Sequence, residues 1–251
     1  MLKFKTVHLL MMVTLLVGCN GNYKLKRVEG SRIAITAAFD KQPNKEATAI
    51  LSQYKRAVDS ISSPVIGYSD GCYTAFRPES PLSNFAADVV FEAGSKALGK
   101  KVDFAVTNMG GLRNDLLDGP ITYGTISNIF PFENALVLLK MKGSVVLELF
   151  QQIAQVRGEA ISGAQLELSS DYKLVKATIN KRKIIPSKTY TVATIDYLAA
   201  GNDGMSAFKK GELLHNKPNK TIRLLVIDHI QQMTAKGKHI KAAIEGRIII
   251  K

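Results

Sequence analysis

The sequence predicts an α+β fold, a mixed α/β domain in which a sheet is packed with helices. Three observations predict it. Hydrophobic residues make up 46% and charged residues 22% of the 251, the balance of a chain that buries a core and not of a disordered or collagen-like one. From Arg32 onward, short strand-like runs alternate with longer segments of helical spacing. From Val65 to the end, no repeat, low-complexity stretch or long linker interrupts that alternation, so this part reads as one layered domain.

The first segment reads as an address. Lys3 and Lys5 precede a short apolar run from Leu9 to Val17, and a small residue precedes Cys19, which is the layout of a secretory signal too short to span a bilayer. Leu16-Val17-Gly18-Cys19 resembles a bacterial lipobox, with residues 1–18 the lipoprotein signal peptide and Cys19 the lipidated first residue. Lipid chains would hold the protein at a membrane surface without crossing it. Lys3 and Lys5 are the only charged residues in 1–18, so their removal lowers the formal charge from +13 to +11. The absence of an acidic run after Cys19 favours a periplasm-facing lipoprotein of the cell envelope. No stretch approaches the roughly 18 consecutive apolar residues of a spanning helix, which excludes a polytopic membrane protein.

Residues 19–62 are expected to form a tether, a short strand and a helix. Arg32 to Ala38 is strand-like, and Asn44 to Ser60 carries Ala47, Ile50, Leu51, Tyr54, Ala57 and Val58 at helical spacing behind an Asn44 N-cap. Ser63-Pro64 breaks that helix, and residues 63–251 form the main domain. Val65 to Phe76 is extended. Pro81 opens a second helix that Gly99 stops. Val102 to Val106 is a compact strand, Gly119-Pro120 a turn, and Thr122 to Asn128 a short helix. Ala135 to Met141 is an apolar strand and Gly143 to Val156 an amphipathic helix. Strand-like runs follow at Ala164 to Leu168, Leu174 to Ile179 and Thr189 to Thr194, then a glycine loop at Gly201 to Gly204. A helix over Thr221 to Lys236 and a strand at the C-terminal RIII run close the chain. Cys72, the only cysteine besides Cys19, reads as a small core residue, leaving no internal disulfide.

Two loops and one short segment carry chemistry. In Thr107-Asn108-Met109-Gly110-Gly111-Leu112-Arg113, an Asn and an Arg bracket paired glycines just after a buried strand. Glycines let a backbone approach a ligand, and a guanidinium fork suits phosphate or carboxylate. Taken alone, the loop reads as a tight turn with Arg113 in a surface ion pair. In Tyr197-Leu198-Ala199-Ala200-Gly201-Asn202-Asp203-Gly204 an aromatic residue stands six before an Asp; alone, that reads as a core Tyr and a turn-capping Asp. Phe130-Pro131-Phe132-Glu133-Asn134 precedes a buried strand, where aromatics are more often core than ligand platform.

Together, in this order and spacing, N-x-G-G-x-R, P-F-x-N and aromatic-x5-D-G resemble the C-terminal domain of the bacterial and animal 5'-nucleotidases. Ser80 to Asp88 is similar to that domain's opening helix, and the resemblance covers Tyr73 to the C-terminus. It implies that Phe132 and Tyr197 sandwich a base, a platform open to any base because each presents a π-face. It further implies that Asn108 and Arg113 contact substrate with Arg113 near the phosphate, that Asp203 accepts from the ribose hydroxyls, and that Asn134 lies on the base side. Two departures stand out: Asn202 replaces a glycine and Tyr197 a more usual Phe. Arg77 falls about one residue from the position of the family's other phosphate arginine.

The family's catalytic half is a metallophosphoesterase whose D-x-H and G-N-H-[DE] signatures hold two metals that activate water. None of the four histidines, His8, His215, His229 and His239, stands in such a motif, so no metal site, cofactor or catalytic residue is expected here. Nor is there a G-x-S-x-G elbow or a P-loop. The expected function is therefore the nucleotide-recognition half of a split 5'-nucleotidase, binding a nucleotide or nucleoside while a separate metallophosphoesterase supplies divalent metal ions. The alternatives are a stand-alone nucleotide-binding lipoprotein and a basic module for nucleic acid or envelope anions. Lys24 to Arg27, Lys181 to Lys183 and Lys236 to Lys241 are scattered with little aromatic interleaving, so nucleic acid is the least favoured partner.

Overall fold

The computed structural model describes residues 24–251; the expected signal peptide and the expected lipidation site at Cys19 lie outside them. Chain contacts divide the molecule into two units, Met1–Leu51 and Ser52–Lys251. In the first, residues 24–38 form no strand and are fully exposed, followed by a single 3-10 turn at Phe39–Lys41. The strand expected at Arg32 to Ala38 is thus absent: its alternation meets no partner strand, and an unpaired strand leaves its backbone groups to water.

Helix α1 (Lys45–Ser62) straddles the division, and the side chain of Asn44 accepts from the Ala47 amide at 2.9 Å. The second unit begins in that helix and continues with β1 (Val65–Ser69) and α2 (Pro81–Leu98). In α2 the Ser80 hydroxyl accepts from the Ser83 amide, Pro81 occupies the first turn, and Gly99 closes the helix at φ 72°, a conformation that favours glycine. Next come β2 (Phe104–Thr107), β3 (Gly119–Thr122), α3 (Tyr123–Ile129), β4 (Ala135–Lys142) and α4 (Gly143–Gln155). The remaining elements are β5 (Ala160–Ser162), β6 (Ala164–Leu168), β7 (Leu174–Ile179), β8 (Arg182–Lys183), β9 (Thr189–Ile195), α5 (Asp196–Ala199), β10 (Glu212–Thr221), α6 (Ile222–Ala235) and β11 (Ile248–Ile250).

The central sheet is mixed, in the order β10-β4-β9-β2-β5, with β9 and β2 parallel and the other pairs antiparallel. Phe104 meets Phe150 of α4 edge-on at 5.3 Å. Its strand neighbour Ala105 pairs with Ala193, against which Gly94 of α2 rests so closely that an added Cβ would lie 2.4 Å from the Ala193 methyl. Because neighbouring strand residues point to opposite faces, α2 and α4 cover the two sides of this sheet. That is why β2 and most of β4 are buried without alternation. A second sheet runs β11-β6-β7-β8, and β1 pairs with β3.

Three more expectations need correction. Gly119-Pro120 is not a bare turn but part of β3, paired along Tyr68–Ser69 of β1. Cys72 is exposed, not core, and its thiol is free. Val65 to Phe76 is a regular strand only to Ser69. Among the described residues no helix is long and apolar enough to cross a membrane.

Candidate functional site

The cleft forms beyond β2 and β9, side by side in the sheet, where β2 runs out into the Asn108 loop and β9 into the short α5 and the loop after it. Asn108 ends β2 and starts the 3-10 turn Met109–Gly111. At Gly111 a Cβ would stand 2.7 Å from the Asn108 side-chain oxygen, so a larger residue would push the Asn108 side chain aside. The Asn108 amide, 7% exposed, donates to Asp203 Oδ2 at 3.0 Å, and the Tyr197 hydroxyl donates to Asp203 Oδ1 at 2.8 Å. That last bond, followed by the charge of Asp203, raises the Tyr197 hydroxyl above its ordinary pKa. Asp203 adopts φ 52°, a left-handed conformation that Asp tolerates better than most residues. Asn202, the departure from a glycine pair, braces the loop instead: its side-chain amide donates to the Tyr197 carbonyl at 2.9 Å.

The other wall comes from the segment between α3 and β4. Phe130 is core, while Phe132 is 46% exposed, so the segment provides one aromatic of each kind. Arg223 at the start of α6 holds it: Nε donates to the Phe130 carbonyl (2.9 Å), Nη2 to the Pro131 carbonyl (2.7 Å), and Nη1 pairs with Glu133 (2.7 Å). Asn108, Phe132 and Asn134 line one small cleft together with Thr107, Leu112 and Ile195. Tyr197, expected alone as core, keeps 38% of its surface.

Arg113 is exposed beside this cleft, its Nη1 3.4 Å from the Gly110 carbonyl, with no carboxylate in ion-pair reach among the described residues. Arg77 donates from Nη1 to the Gly158 carbonyl at 2.6 Å and from Nη2 to Glu159 Oε1. Glu159 is 1% exposed, and its second oxygen accepts from the Met109 amide. Burial pushes its carboxyl up to about 7, against the opposing pull of the Met109 N–H and Arg77 and with added repulsion from Asp203. Of the seven positions singled out by the sequence, Asn108, Phe132 and Asn134 line the cleft, Asp203 and Tyr197 join it through Asn108, Arg77 is linked to it only through Glu159, and Arg113 is exposed next to the lining Leu112. Sequence reasoning missed Glu159 and Arg223. The only signal for Glu159 is an acid opening an otherwise apolar run after Arg157-Gly158; for Arg223 there is none, since its partners are 92 and 93 residues away. Among the described residues no three His, Cys, Asp or Glu side chains gather to hold a metal.

The model of the family "5'-nucleotidase, C-terminal domain" matches residues 65–210. The chain belongs to that family. It is 32% identical to the cell wall protein Lmo0130 of Listeria monocytogenes over 83% of this chain and 30% of that protein. It is 29% identical to the NAD 5'-nucleotidase of Haemophilus influenzae over 67% of this chain and 32% of that protein. This chain thus spans about a third of the length of these relatives. Its fold matches the crystal structure of a 5'-nucleotidase precursor from Thermus thermophilus at TM-score 0.72 and 23% identity, covering 82% of this chain and 43% of that one.

Proposed function

We propose that this domain recognises a nucleotide for a 5'-nucleotidase reaction whose divalent metal ions belong to a separate metallophosphoesterase. The observation that carries the reading is the Asn108–Asp203–Tyr197 hydrogen-bonded set at the mouth of a cleft that also presents the exposed ring of Phe132. Phe132 and Tyr197 stack on the base and Asn134 meets its edge. Asp203 retains lone pairs for ribose hydroxyls, since a carboxylate offers about four acceptor sites and two are taken. Arg113, with its fork free of carboxylates, takes the phosphate. Arg77 is a weaker phosphate ligand, because two of its donors are already engaged. The domain positions the ester, and the partner's metals supply the activated water. Membership of the 5'-nucleotidase family and the likeness to an NAD 5'-nucleotidase support this substrate class. Lipidation at Cys19 would hold the domain on the periplasmic side of an envelope membrane.

Calorimetric titration of AMP and adenosine into the metal-free protein tests the reading. Saturable binding is expected, weakened by Phe132→Ala by about 1–3 kcal/mol, the worth of one stacked base, with the melting temperature unchanged. Added metallophosphoesterase should then hydrolyse AMP faster than it does alone. Binding without that stimulation would leave a stand-alone nucleotide-binding module, and no binding at millimolar ligand would sink both.

A further inference from the structure

The turn that follows α4 is built to deliver one carboxylate inward. The Gly158 amide donates to the Ile153 carbonyl and the Arg157 amide to the Ala154 carbonyl, both at 2.9 Å, with Arg157 and Gly158 at φ 67° and 113°. This closure stops the helix and reverses the chain. Gly158 is also where the backbone of Pro78 presses in: a Cβ would stand 2.3 Å from the Pro78 carbonyl oxygen. That contact brings Arg77, the neighbour of Pro78, to the Gly158 carbonyl and to Glu159. Glu159 joins two otherwise separate segments, Arg77 ahead of α2 and the 108–111 loop that lines the cleft.

We propose that Glu159 is a positioning residue, whose ionised carboxylate clamps Arg77 and the Met109 amide so that Asn108 is aimed at Asp203 and the cleft is ready for a nucleoside. The proposal rests on the nucleotide reading above and adds to it the residue that holds the site in register. An ionised carboxylate accepts at both oxygens, and charge-assisted bonds of this kind are the strong ones. A protonated one turns an oxygen into a donor, and Arg77 and the Met109 N–H, both donors, then compete for what remains. The charged groups facing Glu159 are Arg77 from the segment before α2 and Asp203 from the loop after α5; the 108–111 loop contributes the neutral Met109 N–H.

Adenosine is the probe, because it has no phosphate to titrate near neutrality. With the full chain, affinity for adenosine is expected to rise about tenfold between pH 6 and pH 8, the change for a single proton that must leave before binding from a group at about 7. In Glu159→Gln the profile should be flat, at the wild-type's low-pH level. Parallel profiles in the two proteins would overturn the proposal.

A ligand-free readout separates this from the nucleotide reading. The Met109 amide resonance should shift with a midpoint near pH 7 in the wild type and not in Glu159→Gln. If adenosine fails to bind at any pH, the nucleotide reading falls while the Met109 titration still decides the clamp. A Met109 resonance that does not titrate overturns the clamp, even where adenosine binds. Folding of the variant is checked by melting. A carboxyl raised from 4.5 to about 7 contributes stability present below 4.5 and lost as pH rises through 7. Glu159→Gln should therefore gain melting temperature relative to the wild type across that window.

Discussion

On the Asp203 side of the cleft, Asn108, Tyr197 and Asp203 hold one another by hydrogen bonds, with Glu159 and Arg77 behind them. On the Phe132 side a half-exposed ring stands free, and only the backbone beneath it is fixed, through Arg223. The contrast follows from chemistry. Asn108 is buried and needs a partner already in place, while Asp203 and Tyr197 stay exposed and an aromatic plate needs only a scaffold and a clear face. On the polar wall the buried Asn108 itself ties the cleft to stability, whereas on the aromatic wall the ring does not and only its Arg223 support does.

The largest effect expected from breaking this contrast is that of Asn108→Ala. It strips a buried donor from Asp203 and should cost about 1–3 kcal/mol of stability together with adenosine affinity, read by thermal melting and calorimetry. An unchanged melting temperature would mean the polar wall is no more coupled than the aromatic one. Arg223→Ala comes next. It leaves the Phe130 and Pro131 carbonyls without their side-chain donor, for about 1 kcal/mol of stability and a loss of adenosine affinity smaller than that of Phe132→Ala. Equal losses in those two variants would show that the ring acts only where Arg223 puts it. The smallest effect belongs to Tyr197→Phe, which keeps the ring but returns one oxygen of Asp203 to the ligand. Adenosine should bind tighter, by no more than about threefold for one exposed hydrogen bond regained, with melting unchanged. Weaker binding would assign the hydroxyl a direct ligand contact.

How much of this was legible in the sequence depended on whether a feature is local. Helices α1 and α2 are both 18 residues long and both announce themselves by spacing and caps. Yet α2 buries Leu82, Phe85, Val89 and Val90, while Ile50, Leu51, Tyr54 and Val58 of α1 are all exposed. Periodicity specifies a helix, not what covers it. The reverse holds for β10, whose ELLHNKPNKT run lacks strand alternation. It is an edge strand held by backbone pairing to β4, and its register slips between Lys217 and Thr221. The loops of Asn108 and Asp203 were visible because glycine, Asn and Asp cluster within a few residues. Glu159 was not, because its meaning lies in Arg77 and Met109, 82 and 50 residues away.

The family match ends at residue 210, but the architecture does not. Ile230 of α6 rests on Gly67 of β1, and β11 runs parallel to β6. Arg247, 8% exposed, grips Asp88 of α2 with both terminal nitrogens and donates to the Ile161 carbonyl, while Glu79 accepts from the amides of Glu245 and Ile248. A truncation at the recognisable boundary would leave Asp88 and Glu79 without these partners and bare the apolar side of β1. Anyone transferring this domain to another protein must carry the chain through to Ile250. As a transferable part, the module is larger than its signature.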